Sequence, residues 1–282
     1  MTVKRRKRYT FKPNRNTLAV LVIFIFLIFI ITRISACARY DRSLRGEKYT
    51  YEPVTYPEFQ VRECVAPDGT PTADYFGIYP PKEGEKVIYL TFDDGPSTKI
   101  TPQILDILKK NNVHATFFII GENAEKNPEL IRKIAEGGNA VASHTYSHNY
   151  NNIYTDTEKF REEILKTKEI LINIVGKERF TDIMRFPGGA FREERAEFKE
   201  VLVEENIPYV NWNCLTGDSE TKNPNPADLL AKAKKTAKAS GSDSLVLLMH
   251  DSAGKQATAD ALPGIIKYFK DEGFTFKTLN RY

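Results

Sequence analysis

From Lys86 to the end of the chain, short runs rich in β-branched and aromatic residues alternate with amphipathic helical stretches. That alternation constrains the fold more than any other feature, because strands separated by helices are accommodated by a parallel sheet with helical crossovers. Val87–Phe92 is an apolar run closed by Asp93-Asp94-Gly95-Pro96 and reads as a buried strand ending in a turn. Ser97 or Thr98 is placed to cap the next helix, whose apolar side is Ile104, Leu105, Ile107 and Leu108 and which stops at Asn111-Asn112. Ala115–Ile120 and Asn139–Ser143 read as the following strands, with a helix over Pro128–Glu136 ended by Gly137-Gly138. Phe160, Ile164, Leu171 and Val175 predict a long amphipathic helix stopped by Gly176. Met184–Phe186, Tyr209–Trp212 and Ser244–Met249 read as further strands, separated by helices near 193–205, 227–239 and 259–271. About seven units over ~200 residues suit a (β/α) barrel better than a small open sheet. Active sites in such barrels lie at the C-terminal ends of the strands, and the polar residues of interest here fall at strand ends.

The preceding segments read differently. Residues 1–17 form a basic tail, with Lys4, Arg5, Arg6, Lys7, Arg8, Lys12 and Arg15 and no acid. Those seven positives account for the formal charge of +4; the remainder carries 34 basic against 37 acidic residues, a net −3. A nucleic-acid-binding face over the whole domain is therefore not expected. Leu18–Ile31 is an unbroken apolar run, and 18–34 reads as a membrane signal-anchor with the basic tail held inside. Ala36-Cys37-Ala38 also resembles a signal-peptide cleavage site, which would release the domain, and Ile34-Ser35-Ala36-Cys37 resembles a lipobox apart from Arg33. All three readings export residues 82–282, and a bacterial cell surface fits them. The proline-rich stretch 35–81 reads as an extracellular stalk or linker. Hydrophobic residues at 41% exclude a fully disordered chain. Three cysteines without CxxC spacing exclude a disulfide framework and a cysteine-rich zinc module.

Four segments carry chemistry. Asp93 and Asp94 would point to opposite faces of a continuing strand, so only a turn starting there brings both into one site. His144 and His148 are two of the four histidines, and on a helical turn residues four apart share a face and can bind one metal. An Asp from Asp93-Asp94 completes a His₂-carboxylate set that leaves a position open for water. His250, at the end of Leu245–Met249, is a candidate general acid at the same barrel mouth. In Arg185-Phe186-Pro187-Gly188-Gly189, the arginine can orient a carboxylate and the glycine N–H groups can face an oxyanion. Each segment alone has a bland reading: a polar turn, surface histidines, a strand-capping histidine, an ordinary loop. His114 has no partner in sight and reads as structural.

Taken in order, Thr91-Phe92-Asp93-Asp94-Gly95-Pro96-Ser97, His144-Thr145-Tyr146-Ser147-His148, Arg185-Phe186-Pro187-Gly188-Gly189 and Leu247-Leu248-Met249-His250-Asp251 resemble the polysaccharide deacetylase family, also called NodB-homology or carbohydrate esterase 4. The resemblance covers about 82–282. It implies an α/β fold, a distorted (β/α) barrel of about seven parallel strands, and a divalent metal, zinc or cobalt, held by Asp94, His144 and His148. It also implies Asp93 as general base, Arg185 as its positioning partner, His250 as general acid, Leu248 against the acetyl methyl and the Gly188 N–H at the oxyanion. Gly189, Trp212 and Asp218 are expected around the substrate. The chain departs from the family's Asp-x-x-Asp-Trp segment: aligned on Trp212, Leu215 takes the first Asp, Asp218 the second and Ser219 the Trp. Asp218 is a candidate partner of His250, directly or through an arginine. Gly188 stands where many members carry a bulkier residue, which predicts a wider groove.

The implied activity is hydrolysis of N-acetyl groups from a cell-wall glycan, with peptidoglycan N-acetylglucosamine favoured by the membrane tether. Another wall polysaccharide, chitin oligomers and O-acetyl esters are alternative substrates. A non-catalytic glycan-binding barrel is the competing class; it predicts a missing ligand, base or acid, and every such position is filled. No protein partner is implied.

Overall fold

The computed structural model describes residues 84–279, together with the short antiparallel pair β1 (Cys64–Val65) and β2 (Pro71–Thr72). The expected basic tail, the 18–34 span and most of the 35–81 stalk lie outside the described residues. Among the described residues, no helix is long and apolar enough to cross a membrane.

Residues 84–279 form a seven-stranded sheet in which every pairing is parallel. Its strands are β3 (Val87–Gly95), β4 (Thr116–Ile119), β5 (Ala140–Ser143), β6 (Phe180–Met184), β7 (Cys214–Leu215), β8 (Ser244–His250) and β9 (Thr275–Lys277). The helices between them are α1 (Ile100–Lys110), α2 (Gly121–Lys126), α3 (Pro128–Glu136), α4 (Tyr150–Ile153), α5 (Thr157–Val175), α6 (Ala196–Glu204), α7 (Pro226–Ser240) and α8 (Gln256–Asp271). The spatial order β6-β5-β4-β3-β8-β7 puts β3 at the centre. One edge of β3 is taken by β8 over Val87–Asp93; the other is shared, β9 pairing with Val87–Tyr89 and β4 with Thr91–Gly95.

The residues 208–216 join the sheet's two ends. Tyr209 bridges Met184 at the end of β6, and a few residues later Cys214 and Leu215 pair with β8. The expected strand Tyr209–Trp212 is thus replaced by a segment that serves two edges in turn. The expected strand at Met184–Phe186 lies earlier, over Phe180–Met184. The other expected strands and helices fall near where the hydrophobic periodicity places them, while α2, α4 and β9 are not expected from it. Helix α5 begins at Asp156, whose carboxylate accepts from the Lys159 N–H at 2.8 Å, and stops at Gly176, where φ is 84°. The Ser97 hydroxyl accepts from the Ile100 N–H at the start of α1, as its sequence position predicts.

Both faces of the strands are buried, which explains why they read as continuous apolar runs. Ile88, Leu90 and Phe92 pack outward with Ile104, Leu262 and Ile266 of the helices. Val87 and Tyr89 pack inward with Phe118, Ala142, Val210 and Val246. This two-residue period decides which side chains reach the interior. Thr91 and Asp93 share the inward parity of Val87 and Tyr89; Leu248 and His250 share that of Val246. A fully buried aromatic such as Phe118 is worth ~3–5 kcal/mol against truncation, so the inward layer is a structural floor beneath the polar groups.

Candidate active site

The inward residues at the strand ends meet in a cleft of ≈ 390 Å³ lined by the polar Asp93, Asp94, His144, His148 and His250 and by the apolar Leu248. Tyr150, Gly188, Trp212, Leu215, Asp218 and Ser219 are among the other residues that line it.

Asp94 belongs by parity to the outward face, yet it lines the cleft. The β3–β4 register slips between Asp93 and Gly95, and Asp94 adopts φ 72°, so the strand is bulged where the two acids meet. The expected turn is therefore a bulge inside the strand. Gly95 follows because a Cβ there would sit on the carboxyl of Asp251. Asp251 is wholly buried; the Thr101 hydroxyl of α1 donates to it at 2.5 Å, and burial pushes its carboxyl up to about 7 against that hydrogen bond. Its backbone N–H bonds the Asp93 carbonyl at 3.2 Å. Asp251 thereby ties the bulge to both β8 and α1.

His144 and His148 are not on a helical turn. They flank a loop in which Thr145 and His148 have φ 65° and 53°, and their rings lie 5.0 Å apart. Two devices hold this loop. The carbonyls of Thr145 and Tyr146 accept from the N–H groups of Gly121 and Glu122 at the start of α2. Glu163 of α5 reaches in from the other side: one carboxylate oxygen accepts from Tyr146 N–H at 2.8 Å and Ser147 N–H at 2.7 Å, the other from the Ser147 hydroxyl at 2.7 Å. Glu163 is 7% exposed and was missed by the motif reading; its signal is an acid one turn from Phe160 and Thr167 on the buried stripe of α5.

The donor atoms of Asp94, His144 and His148 lie within 4.8 Å of one another, the only group among the described residues with that geometry. Asp94 Oδ1 is 3.5 Å from His144 Nε2 and 3.3 Å from His148 Nε2. His144 Nδ1 lies 2.8 Å from the Arg185 carbonyl, an acceptor only, so that nitrogen carries the proton and Nε2 presents its lone pair. Burial raises the Asp94 carboxyl, but the hydrogen bond and charge of His144, with His250 and His148, outweigh it and leave the group well below its ordinary range. Burial, then the neighbouring His144, lowers His148. A carboxylate oxygen between two imidazole nitrogens is the donor set of a His₂-carboxylate cation site. The set fits a divalent metal.

Asp93 is 3% exposed and lies 2.8 Å from the guanidinium of Arg185, which is wholly buried. A buried arginine needs every donor satisfied. Arg185 also donates to the Thr91 hydroxyl at 2.7 Å and to the carbonyls of Val210 and Asn211 at 3.2 Å, and its guanidinium lies 4.2 Å above the Phe118 ring. Asp93 Oδ2 is left facing His144, 3.8 Å away. On the opposite side of the cleft, Asp218 pairs directly with His250, without an intervening arginine: Oδ1 to Nδ1 and Oδ2 to the backbone N–H, both at 2.8 Å. Burial lowers His250, but Asp218 more than offsets it, with help from Asp93 and Asp94, and the ring is held above its ordinary range. Ser219, at the family's tryptophan position, places its hydroxyl 3.0 Å from the same Nδ1. Gly188 and Gly189 have φ 76° and 79°, and the Gly188 N–H has no hydrogen-bond partner among the described residues. The groove is not widened at Gly188 as expected, because the Tyr150 ring fills that space: a Cβ on Gly188 would meet Tyr150 Oη at 2.7 Å. His114 lies apart, in a larger groove of ≈ 590 Å³ lined by α1 and α3, with Nδ1 3.1 Å from the Gly137 carbonyl. Cys214 is a buried free thiol.

Residues 81–202 match the polysaccharide deacetylase family profile, a stretch that contains the three-residue donor set, Asp93, Arg185 and Gly188. A Bacillus cereus protein named peptidoglycan-N-acetylglucosamine deacetylase is 32% identical over 249 residues, covering 85% of this chain and 84% of that relative. The chain belongs to the polysaccharide deacetylase family. A Listeria monocytogenes peptidoglycan-N-acetylglucosamine deacetylase is 34% identical over 201 residues, but this chain spans only 40% of that longer protein. Among solved structures, a Streptococcus mutans carbohydrate esterase 4 esterase superposes with TM-score 0.63 at 35% identity, covering 70% of this chain and 87% of that one. The catalytic domain of a Eubacterium rectale peptidoglycan N-acetylglucosamine deacetylase gives TM-score 0.64 at 31% identity, covering 74% and 93%. This polysaccharide deacetylase barrel keeps Asp218 and His250 beyond the profile-matched stretch, where the fold rather than the profile brings them to the cleft.

Proposed function

We propose that the chain hydrolyses N-acetyl groups of a cell-wall glycan, the N-acetylglucosamine units of peptidoglycan before others, releasing acetate. The observation that carries this reading is the convergence on one cleft of a His₂-carboxylate set, a carboxylate fixed by a buried arginine, and an imidazole charged through its own carboxylate. Asp94, His144 and His148 would hold a divalent ion, zinc or cobalt. When bound, such an ion supplies Lewis acidity toward water and the acetyl carbonyl. Asp93, its orientation fixed by Arg185, takes the proton of the attacking water. The water oxygen adds to the acetyl carbon, and the Gly188 N–H is free to stabilise the resulting oxyanion, an interaction worth ~3 kcal/mol in such sites. His250, with Nδ1 engaged by Asp218, gives its Nε2 proton to the leaving nitrogen as the C–N bond breaks. The free amine departs without passing through an amide anion, a contribution of roughly 10²–10⁴ in rate. Leu248 and Trp212 give the acetyl methyl and the sugar an apolar wall.

The apolar run Leu18–Ile31 behind a basic tail supports a single-pass, membrane-anchored enzyme with its barrel outside, a cleaved and secreted form being the alternative. The deciding experiment is acetate release from purified peptidoglycan, chitin oligomers and O-acetylated glycan, before and after chelation and with zinc or cobalt restored. Chelator-sensitive release greatest from peptidoglycan is the expected result. Release that survives complete metal removal, or none from any substrate, refutes the reading.

A further inference from the structure

Position 188 lacks a side chain and lines the cleft with φ 76°, where L side chains are strained. The space is nonetheless filled by Tyr150 of α4, whose Oη and Cε1 lie 2.7 and 3.0 Å from where a Cβ on Gly188 would be. Its ring meets the His148 ring edge-on at 5.4 Å and the Tyr154 ring at 5.9 Å. Tyr154 is in turn fixed by donating to the Pro187 carbonyl at 2.9 Å. A ring wedged this way loses little freedom on binding a ligand. Yet Tyr150 lines the cleft, is 45% exposed, and its hydroxyl has no hydrogen-bond partner among the described residues. Phe191, 54% exposed, stands edge-on to Trp212 at 5.1 Å, and both lie close to where a Cβ on neighbouring Gly189 would be. Exposed aromatic surface therefore concentrates around the two glycines of the cleft.

We infer that Tyr150 is a substrate-contacting residue that takes the place of the side chain missing at Gly188. Its ring packs on the apolar C–H face of the N-acetylated sugar, and its hydroxyl bonds a sugar hydroxyl. An aromatic body with one polar tip suits a pyranose, which presents an apolar face and a polar rim. The strained φ at 188 explains why the ring is delivered from another element. This inference rests on the glycan-deacetylase reading.

The test uses N-acetyl chitotetraose with wild type, Tyr150→Phe and Tyr150→Ala, measuring acetate release, oligosaccharide binding by calorimetry and bound divalent metal. Tyr150→Ala is expected to raise KM roughly tenfold or more with kcat within about threefold and metal content retained. Tyr150→Phe is expected to lie between, with KM raised roughly threefold, the effect of one hydrogen bond. An unchanged KM and affinity in both variants overturns the inference, as does loss of kcat together with metal, which would make Tyr150 a support for His148 alone. Wild type that binds the oligosaccharide without releasing acetate from any glycan refutes the catalytic reading; weaker binding by Tyr150→Ala then still upholds the contact.

Discussion

Asp218 grips His250 twice, one carboxylate oxygen on the ring Nδ1 and the other on the backbone N–H, both at 2.8 Å. The double contact fixes the ring's rotation and its charge together. His250 acts as an acid while protonated, so activity persists as pH rises until it passes the raised pKa, and then falls. Asp218→Asn removes the charge that offsets burial. The alkaline limb of the pH–rate profile is expected to move to lower pH by about one unit, with turnover at pH 8 reduced about tenfold or more. An unmoved limb would place the acid elsewhere.

The two adjacent acids should fail differently. Asp94→Asn weakens the cation site, so bound metal and acetate release are lost together. Asp93→Asn leaves the three donor atoms in place, and metal content is expected to stay near wild type while kcat drops by roughly 10²-fold or more. Elemental analysis beside single-turnover acetate measurements separates the two.

Glu163 holds the histidine loop through three hydrogen bonds from Tyr146 and Ser147. Glu163→Ala leaves those donors without their acceptor and frees the loop. Divalent-metal affinity is expected to fall by roughly 10–100-fold, as for other residues that orient ligands, with the far-ultraviolet dichroism unchanged. Metal titration calorimetry checks this.

Removing Arg185 strands Asp93 as a buried, unpaired charge. Arg185→Met is expected to destabilise the barrel by ~3–5 kcal/mol. Arg185→Lys keeps the charge but not the fork that reaches Thr91, Val210 and Asn211, and should recover little of it. Urea titration of both variants measures the difference.

Gly95→Ala puts a methyl on the Asp251 carboxyl. A loss of ~1–3 kcal/mol is expected from this overpacking, read as a lowered Tm.

The long elements were legible because their periodicity is strong: α5 from Phe160 to Gly176, α7 and α8, and the doubly buried runs of β3 and β8. What the sequence concealed is mostly non-local. Tyr209–Leu215 has the composition of one strand, but its residues pair first with β6 and then with β8, a division set by barrel closure. Strand β9 is three residues long, has exposed Thr275 and Lys277, and exists through its place on the free half of β3's edge. The four-residue spacing of His144 and His148 suggested a helix; positive φ at Thr145 and His148 achieves the same convergence in a loop, which no hydrophobic pattern signals. Tyr150, on a helix of four residues, carries no periodic signal at all. The motif residues were legible as chemistry, whereas Glu163 looks in sequence like an ordinary acid, and Asp251, though it ends a motif, shows no sign there of its bracing contact with Thr101.

The slip of β3 at Asp94 makes two chemically identical neighbours non-interchangeable. Their roles are written in backbone parity, one carboxylate inward by the strand's own alternation and the other recruited by a single left-handed residue. A one-residue insertion between Phe92 and Asp93 would reverse that parity and eject an acid from the cleft while leaving both acids in the chain. The chain can lose this site without losing a single functional side chain.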